Sequence, residues 1–320
     1  VLKASVLIVL ISIAVELSLR TITSILQVIG KSGIASSLTL ISNILVLVFV
    51  SVARIEGEEK FIVLSLVYSI AILLPLLIAS LIVFLKKKVP FINLKTINKE
   101  SIRSVSKLGI GFFVVQLSNL FLWSLNDVLL INLLNKPDVV VDYTEYYKLF
   151  SAITGLAMVL QGTVWVGISS AKEKGDITKF KKYCKINLVF CVFLAVCSAI
   201  FTLCLPVVFH IWLGDNTPSI SIVYQVIMLM FAFVTCGYQY FGLICNGLGS
   251  VKAQVVVACI AVALKVPLTL LFNTFFGNTL QWSSVILSNT ILISIYLFVL
   301  PISIKREVKK MKKNRSFESL

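Results

Sequence analysis

Charge and reactive side chains are scarce in this sequence. Only 13% of the 320 residues are charged, Asp and Glu number 14, and His210 is the single histidine. No nucleophile–base–acid set can be assembled, and no glycine loop has the form that cradles phosphate. His210 precedes Ile-Trp-Leu-Gly at an apolar run's end, where a structural role fits best. Cys184, Cys191, Cys197, Cys204, Cys236, Cys245 and Cys259 stand six or more residues apart, which excludes the close pairs of a metal or redox site. They read as reduced thiols in or beside apolar runs. Polar connections are short as well: RIEGEEK and LGDNTPSI leave no room for an extramembrane catalytic domain. An enzyme is therefore not expected, and neither is a cofactor.

Apolar side chains fill that space. Hydrophobic residues make up 58% of the chain and mean hydropathy is +1.01, outside the range of soluble domains. Roughly 20 mainly apolar residues cross the hydrocarbon as a helix. Nine such stretches are centred near residues 16, 43, 73, 120, 156, 198, 233, 263 and 292. None alternates as barrel strands do, and backbone satisfaction in lipid favours helices. The expected fold is an all-α polytopic membrane protein with about nine transmembrane helices.

The net charge of +15 raises the question of nucleic acid, and the placement of the basic residues argues against it. Alternate connections, near Lys31, from Lys86 to Lys107, from Lys172 to Lys185, at Lys252 and beyond Lys305, hold 22 of the 29 Lys and Arg. The opposite connections hold Lys3, Arg54, Lys60 and Lys136. The positive-inside rule puts the first set and the C-terminus in the cytoplasm. Residue 1 then starts outside without an initiating Met, which leads to the expectation of a chain shortened at its N-terminus. The tail KREVKKMKKNR anchors this topology and is suited to anionic membrane lipid.

An internal similarity adds organisation. SILQVIGKSGIASSLTLISNILVLVF from Ser24 lies over GLICNGLGSVKAQVVVACIAVALKVPLTLLF from Gly242, with Gly30 on Gly249. The first and second spans thus correspond to the seventh and eighth, a six-span repeat of the kind found in transporters. Two six-span lobes would make twelve helices, of which the first three are missing here. The expected division is 1–86, the remainder of an N-terminal lobe; 87–108, a cytoplasmic linker; 109–304, a six-helix C-terminal lobe; and 305–320, a basic tail. In the linker, Ile92, Leu94, Ile97 and Ile102 are spaced for a short amphipathic helix at the headgroups, or else the segment is a plain connection.

Five ionisable residues stand inside apolar runs: Glu16, Arg20, Asp127, Lys148 and Lys265. A charge at a helix centre costs about 3 kcal/mol on insertion scales, so such groups pair or face water. Glu16 and Arg20, four apart, share one helix face and permit an ion pair. Asp127, in LFLWSLNDVLLINLL, and Lys148 fall at similar depth on neighbouring helices and are candidates for each other. They form either a structural pair or a coupling or gating site. Lys265, in IAVALKVPLTLLF, has no acid nearby in sequence and wants water or an anion, unless it snorkels to the interface. Arg20, Lys148 and Lys265 would together give a basic cavity for a phosphate-bearing substrate. Gln116, Asn126, Gln161, Gln239 and Asn246 either line that cavity or bond helix to helix.

NDVLLINLL, VVVDYTEYYKLF and QGTVWVGISSAKEKGDITKFKK, in that order, resemble the bacterial O-antigen and capsular polysaccharide flippases. These belong to the multidrug/oligosaccharidyl-lipid/polysaccharide exporter superfamily. Asp127, Tyr143, Lys148, Phe150, Trp165, Ala171, Gly175 and Asp176 fall on the family pattern, and HIWLG and CNGLGSVKAQ are similar to later landmarks. The resemblance covers most of residues 110–275; LNKPDVVVDY lacks the glycine usual before the Val-x-x-Tyr element. It implies a two-lobed, twelve-helix inverted-V transporter in the bacterial inner membrane that moves polyprenyl-pyrophosphate-linked oligosaccharide between leaflets. It also implies a proton or sodium ion as coupling ion and a polysaccharide polymerase as partner. A cation-coupled drug or metabolite antiporter of the same superfamily is the alternative. A glycan polymerase or ligase would need a large external loop, and a non-transporting scaffold would show a sealed interior.

Overall fold

The computed structural model describes residues 2–52, 60–85, 98–135, 139–214, 221–276 and 282–318. Every regular element among them is helical, as the long apolar runs dictate. The chain divides into two compact units, Val1–Asn98 and Lys99–Leu320.

In the first unit, α1 (Leu2–Leu19) runs into α2 (Thr21–Val28) with one irregular residue, Arg20, between them. The Arg20 amide still bonds Glu16 O at 2.8 Å, which keeps the two helices one span. α3 (Ser32–Val52) and α4 (Lys60–Leu85) complete the unit, with α4 packed on α1 and α3. Its core is small and aliphatic: Ile22, Leu26, Ala35, Leu38, Leu76, Ala79 and Val83.

The second unit opens with α5 (Lys99–Ser124), which breaks at Leu125. The chain resumes as α6 (Asn126–Val128) and a π-helical turn, Leu129–Leu133. α7 (Val140–Gly155), α8 (Met158–Glu173), α9 (Ile177–Leu213), α10 (Ile222–Gly247), α11 (Val251–Phe276) and α12 (Ser283–Glu318) follow. α10 is the axis of this unit, packed on α7, α8, α9 and α12, while α11 lies against α5 and α12. Trp282 is fully buried in the main core with Tyr143, Tyr146, Phe209, Tyr224 and Phe231.

Seven helices among the described residues are long and apolar enough to cross a membrane. Two of the nine expected spans differ. The stretch near residue 43 is α3, whose apolar part, Gly33–Phe49, is shorter than the others. The one near 156 is interrupted: α7 and α8 meet at Leu156 and Ala157, whose amides bond three residues back, to Ile153 O and Thr154 O, at 3.1 and 3.2 Å. Gly155 at the junction and Asp142, Glu145 and Lys148 on α7 explain why hydropathy there is diluted.

α9 and α12 have 37 and 36 residues, well beyond the roughly 20 that cross hydrocarbon. The surplus turns carry Lys179, Lys181, Lys182 and Lys185 on α9 and the basic segment from Lys305 on α12. The expected tail is thus a continuation of α12 through Glu318. Asp176 caps α9 by accepting from the Lys179 amide at 2.9 Å, and this bond holds its carboxyl below the ordinary carboxylate range. Of the expected amphipathic linker, residues 86–97 lie outside the described residues, while Ile102 is exposed in the first turns of α5.

Gly30 and Gly249, matched in the internal repeat, close their helices in the same way. Their φ values are 78° and 63°, and the next amide bonds five residues back: Lys31 N to Leu26 O at 2.7 Å, Ser250 N to Cys245 O at 2.9 Å. A left-handed C-cap of this kind favours a residue without Cβ. Gly175, outside the proposed repeat, does the same with φ 60° and Asp176 N to Ala171 O at 2.9 Å. The turn is therefore a general helix end in this chain, and the proposed repeat has to rest on the flanking spans.

Candidate functional site

A cavity of about 480 Å³ opens within the second unit. α5 contributes Gln116, Asn119 and Trp123; α7 contributes Tyr147, Ser151 and Thr154; α10 contributes Phe231, Thr235, Tyr238, Gln239 and Asn246. Ser124 at the end of α5, Asn187 on α9 and Gln254 on α11 add polar groups. Amides and hydroxyls thus alternate with aromatic walls: Trp123 lies edge-on to Phe231 at 5.5 Å, and Tyr147 is 6.2 Å from the same ring.

Part of the lining is fixed by internal bonds. Tyr238 OH donates to Asn119 Oδ1 at 3.2 Å, Gln254 Nε2 to Asn246 Oδ1 at 2.8 Å, and Asn187 Nδ2 to Tyr240 O at 3.1 Å. Asn119 and Asn246 therefore present oxygen inward to the protein and keep N–H donors beyond these bonds. Thr235 Oγ1 and Gln239 Oε1 are buried with no hydrogen-bond partner among the described residues.

The expected basic cavity is not what lines this space: the described lining residues carry no charge. Lys265 is buried, 2% exposed, and does not snorkel. It turns to α12, where its ammonium donates to Val285 O at 3.0 Å, Ser288 Oγ at 3.0 Å and Asn289 Oδ1 at 2.6 Å. The Asn289 amide continues to Asn126 Oδ1 at 3.3 Å, and Asn126 Nδ2 reaches Tyr143 OH at 2.9 Å. A polar chain thereby links α11, α12, α6 and α7.

Asp127 and Lys148 form no ion pair; the ion pairs among the described residues are Glu16–Arg20, Lys172–Glu307, Asp176–Lys179 and Glu307–Lys310. Helix rotation is the reason. Tyr143, Tyr146, Phe150 and Thr154 are the buried stripe of α7, and Lys148 lies off that stripe, exposed. Asp127, next to buried Asn126, is exposed too. Each stays one turn from the cavity, Asp127 beyond Trp123 and Ser124, Lys148 before Ser151. Glu16 and Arg20 do pair, Arg20 Nε to Glu16 Oε1 at 2.9 Å. Of the uncharged candidates, Gln116, Gln239 and Asn246 line the cavity, Asn126 joins helices, and the Gln161 side chain lies outside the described residues. Asn119, Asn187, Thr235 and Gln254 were not singled out by sequence, because an amide or hydroxyl on an apolar helix gives no sign of which neighbour it faces.

The second unit therefore has the make-up of a membrane transporter: crossing helices around an internal polar cavity. Residues 2–171 match the family described as "Polysaccharide biosynthesis protein", and the chain belongs to that family. Its fold is similar to that of solved MATE transporters. These include the Vibrio cholerae MATE transporter VcmN in the bent form, with TM-score 0.73, 12% identity and coverage of 95% of this chain and 69% of that one. A MATE point mutant gives TM-score 0.77, 14% identity and coverage of 95% and 69%. The outward-facing conformation of a multidrug resistance MATE family transporter of the MOP superfamily gives 0.69, 14%, and 91% and 66%. The chain spans about two thirds of the length of these structures. No curated protein matches it.

Proposed function

We propose that the protein translocates polyprenyl-pyrophosphate-linked oligosaccharide repeat units across the bacterial inner membrane by alternating access, for O-antigen or capsule synthesis. The observation that carries this reading is the uncharged cavity of amides, hydroxyls and aromatic rings. Sugars offer hydroxyls, which need both donors and acceptors, and apolar C–H faces, which lie on aromatic rings. Asn119, Gln239, Asn246 and Gln254 supply amide groups, Ser151 and Thr154 hydroxyls, and Trp123 and Tyr147 the flat surfaces. A drug antiporter for organic cations, the rival suggested by fold, is expected to place a carboxylate in this lining.

On this reading the sugar occupies the cavity while the lipid tail stays in the bilayer. Lys148, one turn from Ser151, is the proposed pyrophosphate contact in this unit; Arg20, balanced by Glu16, is the basic candidate of the first unit, considered by itself. Asp127, on the irregular stretch between the α5 break and the π turn, is the proposed proton or sodium site, since such distortions concentrate at functional positions. The cytoplasmic C-terminus rests on the charge asymmetry of the connections, and a polymerase would receive the flipped product.

The test is made in the native cell. With the complete gene deleted, an impermeant sugar-modifying reagent should find lipid-linked oligosaccharide accumulated on the cytoplasmic side of the membrane, and the parent gene should relieve it. Normal surface glycan together with altered drug tolerance would transfer the assignment to the antiporter.

A further inference from the structure

A buried lysine normally answers to a carboxylate. Lys265 has none: the described ion pairs all lie elsewhere. Three neutral oxygens meet its ammonium instead, and three is the number of N–H donors an ammonium carries. Val285 O, Ser288 Oγ and Asn289 Oδ1 converge on it from the first two turns of α12, at 2.6 to 3.0 Å. Ser288 Oγ also lies 2.8 Å from Val285 O, which its hydroxyl can donate to. Thr269 Oγ1 stands 2.8 Å behind Ser288. Thr269, Ser288 and Asn289 are completely buried.

A convergent set of uncharged oxygens in a dry interior is what proteins offer to a metal cation or ammonium. The ammonium sits at ordinary hydrogen-bond distances from these oxygens, a spacing wider than the roughly 2.0–2.6 Å of magnesium or calcium to oxygen. An ion taking its place without movement of the oxygens would be a large monovalent one. We propose that Val285 O, Ser288 Oγ and Asn289 Oδ1 form a monovalent-cation site that Lys265 fills with its own ammonium. The side chain acts as a tethered ion. Because the ammonium only donates, it turns the Asn289 carbonyl inward and sends the amide nitrogen to Asn126, which fixes the direction of the polar chain as far as Tyr143. On the proposed function, which places the coupling ion at Asp127, this site is not the one that ion uses.

The experiment uses the full chain in detergent, with thermal unfolding followed in choline, potassium and ammonium chloride at equal ionic strength. The parent should melt at one temperature in all three salts. Lys265→Ala vacates the site and should melt lower in choline. Potassium or ammonium should recover on the order of 2–4 °C at tenfold saturation. Lys265→Met fills the space without charge and should ignore the salt. Equal melting of folded Lys265→Ala in all three salts, a cation-specific shift in the parent, or the same shift in Lys265→Met would overturn the proposal. If Lys265→Ala cannot be obtained folded even in ammonium, the decision passes to Asn289 in the chain that keeps its lysine. A resident cation requires Asn289→Asp to melt at or above the parent and Asn289→Leu to melt below it. Equal loss in both would overturn the tethered ion.

Discussion

Six serine hydroxyls in residues 1–98 turn back on their own helices, whereas in residues 99–320 polar side chains also join one helix to another. Ser37, Ser42, Ser51, Ser65, Ser69 and Ser80 each donate to the carbonyl four residues before. The second unit has such bonds too, at Ser118, Ser198 and Thr202. To these it adds Asn126 to Tyr143, Ser169 to Gly247 O, Asn187 to Tyr240 O, Tyr238 to Asn119, and Lys265 to three groups of α12. The difference separates two ways of carrying a polar group into lipid. Back-bonding satisfies the hydroxyl and says nothing about where the next helix lies. A cross-helix bond specifies a mutual position, and a cavity with fixed lining needs helices held in position.

If that contrast is physical, changes inside the second unit should cost most. Trp282→Ala is expected to have the largest effect, about 3–5 kcal/mol. The indole is fully buried, stacks on Tyr224 at 4.6 Å and touches Tyr146 at 5.3 Å, so its removal leaves a void where four helices meet. Thermal unfolding of the purified chain reads this directly. Asn126→Leu comes next: of similar size, it strands Tyr143 OH and the Asn289 amide at about 1–3 kcal/mol each. A near-parental melting temperature in that variant would mean that the polar chain does not hold these helices. Gly247→Ala follows at about 1–3 kcal/mol, because an added Cβ would sit 2.6 Å from Ile168 Cγ2, 2.7 Å from its Cβ and 3.3 Å from Trp165 O.

The fold was largely legible because a membrane span is written in one dimension: length and hydropathy suffice for α1–α2, α4, α5 and α9 to α12. It blurred where the signal was mixed, at the Leu156–Ala157 interruption and at the short apolar part of α3. The site was legible only in part. Lys265 announced itself by depth, yet a partner of opposite charge does not exist among the described residues, and Asn289, a neutral residue 24 positions on, takes that place. Asp127 and Lys148 matched in depth, but depth does not give rotation about the helix axis, and rotation keeps them from pairing. Asn119, Asn187, Thr235 and Gln254 belong to the lining only through the helices they face, which no single-helix pattern contains.

The smallest effect gives the sharpest comparison, because it sets one serine against another. Ser42 and Ser169 lose the same hydroxyl on mutation to Ala. Ser42 Oγ bonds Leu38 O at 3.1 Å, a carbonyl that its own helix also serves. Its loss should shift stability by no more than about 0.5 kcal/mol, and in either direction, since back-bonding slightly strains a helix. Ser169 Oγ bonds Gly247 O at 2.8 Å, in the last residue of α10, where helix termini leave carbonyls unpaired. Removing it takes a bond from a helix end and loosens α8 from α10 beside the Lys172 to Leu248 O contact. A loss of about 0.6 kcal/mol, the average for interhelical bonds in membranes, is expected, rising toward about 1.7 if no water replaces it. Equal shifts in the two variants would show that the two units hold their polar groups alike after all. A shift confined to Ser169→Ala would show that the second unit's geometry depends on bonds between helices.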